Sequence, residues 1–145
     1  MNSVEILLVE DNENDAELAL RALRKNNMAN SIIHIKDGPE ALDYVFAEGD
    51  YVHRGIENIP GIILLDLKLP KLSGLEILEK IKSDDRTKMI PVIMLTSSKE
   101  EPDIANAYKL GANSYIVKPV EFDRFTDAMK NVGYYWMLIN QTLIQ

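Results

Sequence analysis

Hydrophobic residues gather along this chain into five short runs: VEILLV at 4–9, SIIHIK at 31–36, GIILLD at 61–66, PVIMLT at 91–96 and SYIVK at 114–118. The first, third and fourth are nearly unbroken, which suits strands buried on both faces of a parallel sheet. Between the runs the apolar spacing changes to that of helices. Leu18, Leu20, Leu23 and Met28 follow an Asn- and Asp-rich opening suited to capping a helix. A second helix is expected after Gly38-Pro39, carrying Ala41, Leu42, Val45 and Phe46, and a third after Ser73-Gly74, carrying Leu75, Ile77, Leu78 and Ile81. The fourth carries Ile104, Ala105, Tyr108 and Leu110 and stops at Gly111, a residue type common just past a helix end. A fifth begins near Glu121 and runs toward the end of the chain.

Strand and helix thus alternate five times, which predicts a three-layer, doubly wound α/β domain around a five-stranded parallel sheet. The flavodoxin-like strand order 2-1-3-4-5 is the natural arrangement for this count. Ligands of such sheets bind at the carboxyl ends of the strands, beside the switch point between strands one and three. Two stretches are expected to be irregular: 48–61 as a loop insertion, and KSDDRTK at 82–88 as a solvated helix end and turn.

Composition narrows the function classes. A chain of 145 residues, 46% hydrophobic and 27% charged, is of ordinary globular make-up and long enough for one substantial core. A formal charge of −7 opposes non-specific binding to nucleic acid, and no basic stretch offsets it. With no cysteine there is no disulfide or thiolate metal site, which fits a cytoplasmic setting. The N-terminal run is too short for a signal-peptide core and lacks a basic leader. Nothing approaches the roughly 20 apolar residues of a membrane span.

The chemistry collects where the strands end. Strand one ends in Glu10-Asp11, strand three in Asp66, strand four in Thr96 and strand five in Lys118-Pro119, so the expected strand order brings these side chains to one rim. Two like charges about 4 Å apart repel by roughly 4 kcal/mol at an effective dielectric near 20. Such acids need a counter-charge, and a hard divalent cation such as Mg2+ suits carboxylate and carbonyl oxygens. His34 and His53 are the only histidines; both are expected to face solvent away from this rim, which argues against zinc or copper. A lysine and a hydroxyl beside a metal-bound carboxylate are what phosphoryl transfer requires. Asp66 would then be the nucleophile, with Lys118 and Thr96 engaging phosphoryl oxygens.

Taken together, LLVEDNENDAEL, IILLDLKLPKLSGLEIL, VIMLTSS and GANSYIVKP resemble, in order and spacing, the signature segments of the response regulator receiver domain of two-component signalling. The resemblance covers essentially the whole chain. It implies that Asp66 is the phosphoacceptor, with Asp11, Asp66 and the backbone carbonyl of Lys68 ligating Mg2+ and Glu10 acting mainly through a coordinated water. It further implies that Thr96 and Tyr115 are the switch pair, that Lys118 contacts the phosphoryl group, and that the Lys118-Pro119 bond is cis. By the same resemblance the partner is a histidine kinase, and a downstream phosphotransfer or effector protein receives the signal. The protein would catalyse only its own phosphorylation and dephosphorylation.

The 48–61 insertion and VGYYWMLIN near the C-terminus are similar to those of small regulators paired with phytochrome-like kinases. A single receiver domain over 1–145, without an output domain, is expected. An aspartate-based phosphatase would carry an acid two residues after the nucleophile, where this chain has Lys68. A flavin or nucleotide binder would have a Gly-, Ser- or Thr-rich cradle after strand one instead of EDNEND. A receiver-like module that only binds partners remains the third alternative. In the last helix Phe122, Phe125, Met129, Val132, Trp136, Ile139 and Leu143 form one stripe, and beyond Gly133 its aromatic residues outrun the sheet. An exposed patch of that kind points to a homodimer through the last helix and the neighbouring face of helix four and strand five.

Overall fold

The computed structural model describes residues 5–25, 31–119 and 122–129. Strand and helix alternate as the apolar pattern requires: β1 (Glu5–Val9), α1 (Glu13–Lys25), β2 (Ser31–Ile35), α2 (Gly38–Phe46), β3 (Ile62–Leu65), α3 (Gly74–Lys82), β4 (Val92–Thr96), α4 (Glu101–Lys109), β5 (Ser114–Val117) and α5 (Phe122–Met129). The five strands are all parallel and lie in the order β2-β1-β3-β4-β5. Two side-chain layers follow from the period of two within each strand. Leu7, Val9, Ile63, Leu65, Val92 and Met94 pack with α2, α3 and α4 on one face. Ile6, Leu8, Ile62, Leu64, Ile93, Leu95 and Ile116 pack with α1 and Ala128 of α5 on the other.

The helix starts are fixed by side chains. Asn12 Oδ1 accepts from the Asp15 amide at 2.9 Å, Asp37 Oδ1 from Glu40 at 2.8 Å, and Ser73 Oγ from Glu76 at 3.2 Å. Each satisfies one of the amide donors that a first turn leaves unpaired. At the end of α4, Gly111 has φ +107°, and the Ala112 amide reaches back to Ala107 O at 2.9 Å while Gly111 reaches Tyr108 O. This is the Schellman closure, and its left-handed residue is the expected Gly111.

The structure corrects several expectations about which residues are buried. In α1 the inward face is Ala16, Ala19, Ala22 and Leu23, while Leu18 is 46% exposed. At 100° per residue Leu18 lies well off the face that Leu23 shares with Ala16 and Ala19. In α4 only Ala107 is fully inside; Ala105 is exposed and Tyr108 is 49% exposed. The insertion is not an irregular loop, for Gly49–Arg54 forms a 3-10 helix. It is pinned by Tyr51 edge-on to Tyr44 at 5.0 Å and by the Arg54 guanidinium 3.7 Å over the Tyr44 ring. Arg54 also donates to Asn58 O at 2.6 Å.

The 82–88 stretch is likewise not merely solvated. Thr87 is fully buried and donates to Ile81 O at 2.7 Å, and the Lys82 ammonium reaches Ile90 O at 2.6 Å and Lys88 O at 3.0 Å. The apolar residues beyond Gly133, and the dimer surface built on them, lie outside the described residues. Among the described residues no helix is long and apolar enough to cross a membrane.

Candidate functional site

Three strands deliver acids or their counter-charge to the same rim one residue after their ladders end. Backbone bonds carry the ladder past each strand end: Glu10 N to Ile35 O at 3.0 Å, Asp66 N to Val9 O at 3.1 Å and Lys118 N to Thr96 O at 2.7 Å. The functional side chains therefore start from a rigid platform rather than from free loops. Glu10, Asp11 and Asp66 bring carboxylate oxygens within 4.8 Å of one another; Glu10 and Asp66 are buried and Asp11 is exposed. Three hard oxygen donors from three side chains, with one side open, suit a divalent cation that keeps part of its water shell. Neither the third-strand acid nor the first-strand pair could do this alone.

Lys118 stands at the centre of the cluster. Its ammonium donates to Glu10 Oε1 at 2.5 Å, Asp15 Oδ2 at 2.9 Å and Asp66 Oδ2 at 3.0 Å. Burial alone would pull the Lys118 ammonium down; the hydrogen bonds to Glu10, Asp15 and Asp66 more than reverse this and hold it above its ordinary value. Glu10 moves the other way from an ordinary acid. Burial pushes it up to about 7, and the repulsion and hydrogen bonding of Asp66 add to burial against the opposing pull of Lys118. The other Asp66 oxygen accepts from the Lys68 amide at 3.3 Å. The Lys118-Pro119 bond is cis.

The two switch candidates meet through a residue that the sequence reading passed over. Thr96 is fully buried at the end of β4, and its Oγ1 accepts from the Ser98 amide at 3.4 Å. Tyr115, on β5, is half-buried and donates its hydroxyl to Ser98 O at 3.0 Å. Ser98 Oγ in turn donates to Asp103 Oδ2 at 2.6 Å, which fixes the start of α4. Ser98 thus joins the rim to the α4–β5 side. Its only signal in the sequence is its place two residues after Thr96.

Two more residues belong to the site without having been assigned to it. Asp15 stands on the first turn of α1, and its contact with Lys118 at 2.9 Å puts its carboxylate over the rim. His34 corrects an expectation outright: it is half-buried, and its Nε2 lies 2.7 Å from Glu10 O. That oxygen can only accept, so Nε2 carries the proton. The parallel ladder sets Leu8 opposite His34, two residues before Glu10. His53 is exposed.

Comparison with known proteins decides the family. The model of the response regulator receiver domain matches residues 6–130. This chain belongs to the response regulator receiver family. Receiver structures superpose closely on it. The bacteriophytochrome response regulator RtBRR is 49% identical with a TM-score of 0.82, covering 91% of this chain and 79% of that one. The phosphorylated cyanobacterial phytochrome response regulator RcpA is 38% identical with a TM-score of 0.79, covering 94% and 95%. Response regulator Rcp1 of Synechocystis is 34% identical over 134 residues, 91% of this chain and 88% of its own length. A response regulator of that name solved in its Mn(2+)-bound form is 33% identical, with a TM-score of 0.77 over 92% and 94% of the two chains. The receiver is therefore a signalling module, and its relatives include small regulators of phytochrome systems.

Proposed function

We propose that this receiver accepts a phosphoryl group on Asp66 from a phosphohistidine of a partner histidine kinase, of the phytochrome-like kind, with Mg2+ as cofactor. The observation that carries this is the setting of the Asp66 carboxylate. It is held at the end of β3 by Lys118 on one oxygen and the Lys68 amide on the other, with Glu10 and Asp11 beside it. A lone pair of an Asp66 oxygen forms the new bond to phosphorus as the bond from phosphorus to the histidine nitrogen breaks. The electron pair leaves on the imidazole, which takes up a proton from solvent. A bound divalent cation would neutralise the acids and draw charge from the phosphoryl oxygens. Asp11, Asp66 and the Lys68 carbonyl would hold it, with Glu10 acting through a coordinated water.

Lys118 orients Asp66 and offers its ammonium to a phosphoryl oxygen, and the Thr96 hydroxyl turns from the Ser98 amide toward another. Once Thr96 moves, Tyr115 loses its fixed Ser98 partner, and the face made by α4, β5 and α5 changes shape. A downstream phosphotransfer or effector protein would read that face. Support comes from the relatives, since RcpA is solved phosphorylated and Rcp1 with Mn(2+). The test is incubation with acetyl phosphate and Mg2+, read by intact mass. The parent should gain one phosphoryl group, and Asp66→Asn, or omission of Mg2+, should gain none. Unchanged incorporation in Asp66→Asn would overturn the assignment.

A further inference from the structure

The ammonium of Lys118 has three N–H donors, and all three are committed in this structure, to Glu10, Asp15 and Asp66. Glu10 and Asp66 belong to the acid cluster that suits a cation, but Asp15 does not. It stands on the first turn of α1, its backbone amide is capped by Asn12, and its carboxylate, 32% exposed, is spent on Lys118. Nothing in helix capping or core packing calls for that contact. An ordinary first-turn acid gains from the helix dipole while facing water; this one reaches over the rim instead.

We propose that Asp15 is a positioning residue that tethers Lys118 to α1 and so shortens the life of the phosphorylated state. The inference rests on Asp66 as the phosphoacceptor. Phosphorylation turns one carboxylate oxygen of Asp66 into the bridging oxygen of an acyl phosphate, whose outer oxygens carry up to two negative charges. Lys118 is the fixed cation available to them, and each donor held by Asp15 is one that the phosphoryl oxygens do not have. Asp15 also adds a negative charge no farther from the Asp66 oxygen than the two Lys118 contacts laid end to end, 2.9 and 3.0 Å. Competition for the ammonium and direct repulsion act in the same direction. Both weaken the hold on the phosphoryl group that hydrolysis must break.

The test follows decay of the phosphorylated protein after acetyl phosphate is removed, in saturating Mg2+, by intact mass. Asp15→Asn keeps the shape and removes the charge; Asp15→Ala removes the tether altogether. Both should lengthen the phosphorylated half-life by about fivefold or more, the size expected for one charge at this separation in a partly wet rim. Asp15→Glu, which restores a carboxylate able to reach Lys118, should return to within about twofold of the parent. Half-lives of Asp15→Asn and Asp15→Ala equal to or shorter than the parent's would overturn the proposal. So would a gain that Asp15→Glu shares, because side-chain packing rather than the tether would then set the rate. A parent that takes up no phosphate overturns the phosphoacceptor reading and this inference with it, an outcome distinct from the other two.

Discussion

Gly74 opens α3 directly behind Asp66, the proposed phosphoacceptor. Its amide donates to Leu67 O at 2.7 Å, so the helix start is drawn against the 66–67 peptide. A Cβ built there would lie 2.1 Å from Asp66 O, 2.8 Å from Leu67 Cα and 2.9 Å from Asp66 C. All three are backbone atoms, so no rotamer change can relieve the overlap. Opening the closest contact to an ordinary separation demands a shift of at least about 1 Å. Helix propensity alone would make Gly74→Ala stabilising by up to about 1 kcal/mol. Overpacking against backbone costs about 1–3 kcal/mol and is expected at the upper end here, so the net loss is about 2 kcal/mol. For 145 residues, with an unfolding entropy near 2.1 cal/mol/K per residue, that lowers the melting temperature by about 7 °C. The shift also displaces Asp66 from Lys118 and from the acid pair, so Mg2+ affinity and phosphate uptake should each fall about tenfold or more. Thermal melting with a chelator present, followed by Mg2+ titration, reads both effects. If Gly74→Ala melts at or above the parent and binds Mg2+ equally well, the close approach does not hold Asp66 in place.

Thr87→Val keeps the shape of a fully buried side chain and deprives Ile81 O of its hydroxyl partner, so urea unfolding should show a loss of about 1–3 kcal/mol. Thr87→Ser, which keeps the hydroxyl, should lose less, and the opposite order would refute the role of the bond. Glu10 sits at about 7 when folded against an ordinary 4.5, so its contribution to stability is full below pH 4.5 and is lost as pH rises through 7. That contribution is on the order of 3 kcal/mol in the metal-free protein. A cation needs the ionised form, so Mg2+ affinity should fall below pH 7, and Glu10→Gln should flatten the dependence; an affinity in the parent that is level from pH 6 to 8 counts against it. Thr96→Ala should leave Asp66 modifiable but uncouple phosphorylation from the change at Tyr115, read by near-UV circular dichroism with and without acetyl phosphate. An unchanged phosphorylation-dependent signal would remove Thr96 from the coupling.

The sheet was legible because its strands are short, buried on both faces and separated by helical spacing, a pattern that few other folds share. Strand order followed from topology rules, and with it the rim on which Glu10, Asp66, Thr96 and Lys118 meet. What escaped was decided by contacts between distant segments. Apolar spacing alone placed Leu18 and Tyr108 inward, because a helix face is chosen by the neighbour it meets and small residues such as Ala19 and Ala107 fit closest to the sheet. The 48–61 segment looked irregular because its order comes from Tyr51 and Arg54 docking on Tyr44, a pairing invisible to local periodicity. His34 carried no motif, and only the register of β2 against β1 brings it to the Glu10 carbonyl.

The acids at the rim pose a question of charge, and the structure answers it in a way the sequence did not suggest. The expected counter-charge was a divalent cation, with Lys118 beside it to meet the phosphoryl group, yet Lys118 already serves three carboxylates, with its side chain only 9% exposed. A buried ammonium with three acids is well satisfied, and the surplus is negative charge rather than positive. Burial and the nearby Asp66 then push Glu10 toward holding a proton. Cation binding should therefore release a proton and loosen the hold of Glu10 and Asp66 on Lys118, leaving the ammonium freer to meet an incoming phosphoryl group. Asp15 is the carboxylate that keeps its claim on Lys118 through that change, since it lies outside the cation cluster. On this proposal one lysine would link metal binding, phosphoryl acceptance and persistence of the signal, and the sharing of its three donors is the quantity that the Asp15 variants measure.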